Sequence, residues 1–399
     1  MIRVLPRVAL ATLSVICASC SSGVNATSMR PPAPVPVIDH VDVVDEGNCA
    51  SAPSTGGADV AFGRPSAGYL DIWSGGRLLT WVENGSPPDG LAASGDTRSL
   101  TDRHILVCDL QTSRVRRAVS SIPGGFVFAP RGGGPQASTL VYTAVARDPG
   151  SSEPAMWSIV AIELPSMNRR VLRSSTVPAT PDTLPVASVD GRWAAWGEPA
   201  TQGGSVDVHV ADLQTGQEKQ LRAAVRATAV SVMNGVVYFD DQAATGDAIF
   251  AMPADGSALP YEVVATSGGS FPVARNGALA WVQERAASDG RPASAFDEYV
   301  LDLGAAQRRP FRVGTNGYGN TFPGSGFALY LEPRGLIAHS SCSDYTTPGA
   351  VVSSGAIAVS AGWASVGDVI AFATIGADSR GRTLHVISAA AHGIQRAPC

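Results

Sequence analysis

The chain has 399 residues, with 29 Lys and Arg against 34 Asp and Glu and a formal charge of −5, so it has no clustered cations on the scale that a phosphate backbone demands. Charged residues make up 16% and hydrophobic residues 45%, a balance that excludes both a disordered chain and a multi-span membrane protein. With 43 Gly and 28 Pro, the composition favours many turns over long helices.

Arg3 and Arg7 precede an apolar run from Val8 to Ile16, and small Ala18 and Ser19 follow, which is the plan of a secretory signal peptide over residues 1–19. The run is too short to span a bilayer. Cys20, Ser21, Ser22 and Gly23 come next and resemble the lipobox of bacterial lipoproteins, although Cys17 stands where Leu, Val or Ile is usual. The resemblance implies that Cys20 becomes the first mature residue and carries a lipid, placing the protein on the outer face of the cell membrane. Plain secretion after ordinary cleavage is the alternative. Ser21 to Pro36, SSGVNATSMRPPAPVP, is short of large apolar side chains, so residues 20–37 are expected to be a lipidated Cys and a disordered tether, with the folded domain over 38–399. Loss of Arg3 and Arg7 with the leader takes the charge to −7, so the membrane is approached through the anchor alone.

Four cysteines remain: Cys49, Cys108, Cys342 and Cys399. An even number in an exported chain points to two disulfides, and the spacings fit no zinc site. If the two ends of a ring meet, Cys49–Cys399 would lock the closure and leave Cys108 with Cys342. Cys342–Cys399 is the rival pairing, and a free buried thiol at Cys108 is the third possibility.

A recurring unit runs along the chain. A turn is followed by two to four apolar residues and an aromatic, at Trp81, Tyr142, Trp196, Tyr238, Trp281, Tyr330 and Phe372, with successive spacings between 42 and 61 residues. Each aromatic is followed by a polar gap and a second apolar strand, such as ILVCDLQTS from Ile105, VDVHVADLQTG from Val206 and EYVLDLG from Glu298; the counterpart near Gly335 is weaker. Alternation of Val206, Val208 and Val210 with Asp207 and His209 is the period-2 mark of a strand. Asp190-Gly191 and Asn234-Gly235 are suited to tight turns between antiparallel strands. A period of 40 to 50 residues matches four-stranded propeller blades, which must stack to cover their apolar faces. The expectation is an all-β propeller of seven blades, or six if a terminal unit only completes a shared blade, with residues 38–62 giving an outer strand to the last blade.

Residues 188–221, SVDGRWAAWGEPATQGGSVDVHVADLQTGQEKQL, resemble the TolB-like (PD40-type) propeller repeat, in which a Ser-x-Asp-Gly turn precedes one strand and Asp-Leu-x-x-Gly closes the next. The resemblance covers roughly residues 65–390 and is degenerate outside that copy. It implies a cell-envelope role with a protein partner.

Catalytic motifs are missing from the sequence: there is no G-x-S-x-G, H-E-x-x-H, P-loop or G-x-G-x-x-G. Gly132 to Gly134 and Gly317 to Gly319 read as loop glycines, and the single lysine, Lys219, as part of a blade-exit turn. The six histidines are His40, His104, His209, His339, His385 and His392; His209 and His385 are expected as partly exposed strand residues. The acidic group Asp39, Asp42, Asp45 and Glu46 reads as a solvated segment, with calcium binding as the alternative. No catalytic, metal-binding or cofactor-binding residue is therefore assigned. Insertions at Glu83–Asp102, Arg147–Pro154 and Arg285–Ala295 are the candidates for specificity, and Tyr345 and Trp363 are expected in the core, with lining of the central funnel as the alternative.

These readings converge on an exported, non-catalytic, monomeric lipoprotein whose propeller binds an envelope protein or a small ligand, and no nucleic acid. The alternatives are a propeller enzyme acting on a polysaccharide or lactone, recognisable by acids and His converging from several blades, and a solute-binding lipoprotein with a deep apolar funnel.

Overall fold

The computed structural model describes residues 39–49, 60–64, 67–84, 103–121, 124–147, 153–175, 177–180, 183–200, 204–244, 246–284, 296–306, 308–317, 321–354, 363–375 and 382–394. They form 29 strands in seven antiparallel sheets. Two strands precede the first repeat: β1 (Asp39–Asn48) and β2 (Val60–Arg64). Blade 1 holds β3 (Gly68–Trp73), β4 (Leu78–Asn84), β5 (Arg103–Asp109) and β6 (Arg114–Ser121). Blade 2 holds β7 (Phe126–Gly133), β8 (Thr139–Val145), β9 (Trp157–Glu163) and β10 (Asn168–Ser174). Blade 3 holds β11 (Ser188–Asp190), β12 (Trp193–Pro199), β13 (Val206–Asp212) and β14 (Glu218–Val225). Blade 4 holds β15 (Val230–Met233), β16 (Val236–Ala243), β17 (Gly246–Pro253) and β18 (Tyr261–Ala265). Blade 5 holds β19 (Gly269–Arg275), β20 (Ala278–Glu284), β21 (Phe296–Asp302) and β22 (Phe311–Gly317). Blade 6 holds β23 (Thr321–Pro323), β24 (Phe327–Glu332), β25 (Gly335–Ser340) and β26 (Ala350–Ser353). Blade 7 holds β27 (Trp363–Val366), β28 (Val369–Ile375) and β29 (Arg382–Ser388), and β2 supplies its outer strand. This is a seven-bladed β-propeller, with the first inner strand β3 packed against the last, β27.

The ring is held by its wedges. The described residues group into seven apolar clusters, and each takes its members from two neighbouring blades. Alternate residues of one strand serve different wedges: Leu79 and Trp81 of β4 pack toward blade 7, while Leu78 and Val82 pack toward blade 2. A strand covered on both faces needs apolar residues on both, which is why these strands read as nearly continuous apolar runs. The repeating aromatic lies on the second strand of every blade, and its cross-strand neighbour often stacks on it. Trp281 faces Tyr299 at 5.4 Å, Trp196 faces His209 at 6.0 Å and Phe372 faces His385 at 4.7 Å. Blade 4 corrects the sequence reading by one residue. There Phe239 fills the wedge toward blade 3 and stacks on Phe250, while Tyr238 turns toward blade 5. The strand near Gly335, weak by sequence, is fully formed and largely buried.

Residues 38–62 divide between two blades. β2 pairs with β29 as expected, but β1 pairs with β6 and makes blade 1 five-stranded. Cys49, at the end of β1, consequently lies beside β5 and bonds to Cys108. The ring-closing pair Cys49–Cys399 is not formed, nor is Cys108 paired with Cys342 or free. Cys342 is also disulfide-bonded, and Cys20 and Cys399 lie outside the described residues. The acidic group lies in a strand and is only partly solvated: Asp39 is buried and accepts hydrogen bonds from Arg169 at 2.7 and 3.1 Å and from the Tyr142 hydroxyl, while the exposed Asp45 pairs with Arg114 and Glu46 with Arg117. These contacts fasten the added strand to blades 1 and 2. Gly132 and Gly133 are not loop glycines either. They lie within β7, and a Cβ on Gly132 would stand 1.8 Å from the Trp73 indole. Lys219 lies in β14 and donates to the Asp255 carbonyl.

Candidate functional site

Antiparallel order sorts the connections between strands. Inner strands begin at one end of the ring, where second-to-third-strand connections also emerge; the other end holds the tight turns. We call these the loop end and the turn end. The candidate insertions Glu83–Asp102, Arg147–Pro154 and Arg285–Ala295 all join second to third strands and so leave from the loop end. Their interiors fall outside the described residues.

The turn end is cross-linked. Arg275 of β19 reaches from blade 5 to blade 1, where it donates to Asp71 Oδ1 at 2.7 Å and to the Ile72 carbonyl. Asp71 is buried and its other oxygen accepts from the Gly132 backbone N–H at 2.9 Å. Arg131 of β7 lies beside this pair and donates to the Leu70 carbonyl at 3.4 Å and the Pro130 carbonyl at 3.1 Å. Burial lowers its pKa, Asp71 opposes that shift, and Arg275 adds to it. Asn276 ties the same end together by donating to the Pro323 and Ser365 carbonyls and accepting from the Gly367 N–H. Inner strands of adjacent blades share no ladder, and serine hydroxyls bridge them instead. Ser188 Oγ accepts from Val232 N–H at 3.1 Å, and one blade further on Ser231 Oγ accepts from Ala274 N–H at 2.9 Å.

The loop end is built differently. The inner strands of blades 1, 2 and 5 each bulge near their start, between Gly68 and Asp71, Phe128 and Arg131, and Ser270 and Val273. Each bulge contains a residue in the left-handed region: Tyr69 at φ 52°, Ala129 at φ 51° and Phe271 at φ 55°. That conformation strains a side chain bulkier than glycine's, at about 1–3 kcal/mol each, and bulges beside functional sites re-aim side chains. Here Tyr69 and Phe271 are aimed into solvent, 41% and 42% exposed. The Phe271 bulge has a support: its N–H donates to Thr228 Oγ1 at 2.7 Å, and Thr228 donates to Asp240 through Oγ1 at 2.9 Å and through its N–H. Burial pushes the Asp240 carboxyl up to about 6, against these hydrogen bonds.

From Tyr69 a row of rings runs outward into blade 2. Tyr69 meets Phe128 edge-on at 5.7 Å, and Phe128 meets Phe126 at 5.7 Å. Two guanidinium groups then lie over Phe126: Arg103, from the start of β5, at 5.0 Å and Arg147, just after β8, at 5.8 Å. Burial lowers the pKa of both, Arg103 being aided only by Tyr69.

The candidates read from sequence are scattered over this frame. His209 is buried rather than partly exposed, 2.5 Å from Glu218 and 3.3 Å from Glu198, with Arg173 of blade 2 completing an ion network between blades. His385 bonds to Thr374 in blade 7, and His339 to the Thr347 and Ser340 carbonyls in blade 6. Trp363 belongs to the wedge between blades 6 and 7, and Tyr345 is stacked on by Arg312 at 4.1 Å. No group of three or more His, Cys, Asp or Glu among the described residues is placed to hold a metal ion, and no described helix is long and apolar enough to cross a membrane.

Comparison with known proteins agrees on fold and goes no further. No family model and no curated protein matches the chain. Among solved structures, a prolyl endopeptidase is similar over 82% of this chain and 47% of its own, with 13% identity and a TM-score of 0.51. An acylaminoacyl peptidase from Pyrococcus horikoshii matches over 68% and 43% (12%, TM-score 0.44), and an oligogalacturonate lyase in complex with manganese over 88% and 98% (11%, TM-score 0.47). The chain spans less than half the length of those peptidases. The class that topology and site define is a seven-bladed β-propeller whose two ends are differently built.

Proposed function

We propose that this protein is an exported, lipid-anchored binding protein, in which Cys20 carries the anchor, residues 20–37 form a tether and the loop end of the propeller receives a partner. The observation that carries the reading is the pair of exposed aromatics, Tyr69 and Phe271, held on left-handed bulges at the same end of the ring as the long connections. A fold does not maintain strained, solvent-facing aromatic residues for packing. Rigid scaffolds place binding groups in this way. The Cys49–Cys108 disulfide suits an oxidising compartment, and the TolB-like run over 188–221 supports an envelope role with a protein partner. The raised carboxyl of Asp240 is the one feature that favours an enzyme; its oxygens are engaged by Thr228 and Ala229, which fits a support for the bulge better than a proton donor.

The test is cross-linking capture from intact cells, comparing the native protein with Cys20→Ala. A discrete envelope protein recovered only with the anchored form is the expected result. Recovery of nothing, or equal recovery of both forms from the medium, overturns the anchored-scaffold reading.

A further inference from the structure

Half of the described arginines have an acid to pair with. Arg77 pairs with Asp109, Arg114 with Asp45, Arg169 with Asp39, Arg192 with Asp212 and Arg312 with Asp297. The chain is acidic overall, so partners are not scarce. Arg103 and Arg147 belong to the other half and are set apart by their shared ring. They come from different blades, converge on one phenyl ring, and form no ion pair among the described residues. The Nε of each is buried without a hydrogen-bond partner. Arg147 uses Nη1 on the Glu153 carbonyl, a neutral acceptor. Two cations over one ring, partly desolvated and with no counter-charge among the described residues, favour the arrival of something negative.

We propose that Arg103 and Arg147, stacked on Phe126, bind the carboxylate of a ring-bearing acid whose body lies against Tyr69. The inference rests on the reading of the loop end as the binding face. A guanidinium is a flat fork of donors that matches a carboxylate, where lysine is only a point charge. Stacking on Phe126 holds both forks on the same surface, so their entropy is partly lost before a ligand arrives. The row Tyr69, Phe128 and Phe126 runs from blade 1 to these cations, and its solvent-exposed end, Tyr69, offers a face to a second ring.

The experiment uses the full-length purified protein and four probes: benzoate, its neutral isostere benzamide, acetate and inorganic phosphate, with binding measured by calorimetry and melting temperature recorded for each. Benzoate is expected to bind saturably and raise the melting temperature, acetate to bind more weakly, and benzamide not to bind. Arg103→Gln and Arg147→Gln should each weaken benzoate at least tenfold without melting lower than the parent. Arg114→Gln, which changes an arginine already paired with Asp45, should leave benzoate binding unchanged. Unaltered benzoate binding in both site variants overturns the assignment. Phosphate binding as tight as benzoate removes the preference for a carboxylate and overturns it too. So does a lower melting temperature in both variants with no benzoate effect in the parent, which would make the cluster structural. The two proposals fail separately: capture of an envelope partner by parent and both variants alike, with no benzoate binding, keeps the scaffold and removes this site. Benzoate binding lost in the variants, with no partner captured, does the reverse.

Discussion

Arginines stand at both ends of this ring in opposite circumstances. At the turn end, Arg275 and Arg131 flank a buried aspartate that accepts from one of them, and backbone carbonyls take their remaining donors. At the loop end, Arg103 and Arg147 share a phenyl ring and no acid among the described residues. The same side chain is a rivet in the first place and an unmet demand in the second, and the difference lies in the counter-charge, not in burial. Partial burial of an ion is tolerable when its charge is answered within the fold. Where no described acid answers it, the cation is left available to a partner, with the exposed Tyr69 at the far end of the same row of rings.

The strongest way to break this contrast is to remove the answer at the turn end. Asp71→Ala leaves Arg275 and Arg131 without their carboxylate and should cost about 3–5 kcal/mol in denaturant unfolding. A loss under 1 kcal/mol would mean that the axial cross-link is incidental. Next in size is the disulfide that holds β1 onto blade 1. Cys49→Ser should lower stability by about 2–4 kcal/mol, because the bond closes a loop with a sequence separation of 59. Peptide mapping of the oxidised protein should recover Cys49 with Cys108, and the expected partner of Cys342 is Cys399.

Which parts of this were legible in the sequence follows from how each is built. Two-sided burial writes itself into consecutive residues, so second and third strands show as apolar runs, as around Trp81, Tyr142 or Trp281, with the strand near Gly335 the weakest of them. The slip at Tyr238 arises because two aromatics adjoin in Tyr238-Phe239, and neighbours on a strand face opposite wedges. The pairing of Cys49 was missed because nothing in residues 39–48 says which blade edge they will extend; the alternating contacts of Asp39 and Asp45 with Arg169 and Arg114 decide it. The candidate site was hidden for two reasons. Arg103, Phe126 and Arg147 belong to three separate strand ends and meet only across a wedge. The bulges carry Tyr69, Ala129 and Phe271 where a left-handed turn would announce itself with glycine. Pro130 and Pro272, each directly after such a residue, are the only local sign.

The support of the Phe271 bulge can be probed by pH. Burial raises the folded-state pKa of Asp240 from 3.8 to about 6. The native state thus holds this proton more tightly than the unfolded chain, so the stabilisation is fully present below the unfolded value and fades as pH rises through about 6. Relative to Asp240→Asn, the parent should lose on the order of 1–3 kcal/mol between about pH 4 and pH 7. Melting curves of the two proteins that run parallel over this range would show that Asp240 does not titrate there.

The smallest expected effect is the most discriminating, because its sign is opposite to that at Asp71. Arg103→Gln removes one of two cations that stack on Phe126 without a counter-ion among the described residues, and keeps a side chain long enough to cover much of the ring. The desolvation of a charge disappears, while a cation–π contact worth about 0.5–1 kcal/mol is lost. The net change should be a stability equal to the parent's or higher by less than about 1 kcal/mol, measured without added anions. If Arg103→Gln instead unfolds as readily as Asp71→Ala, both ends of the ring use arginine in the same way, and the distinction between a rivet and a receptor site is lost.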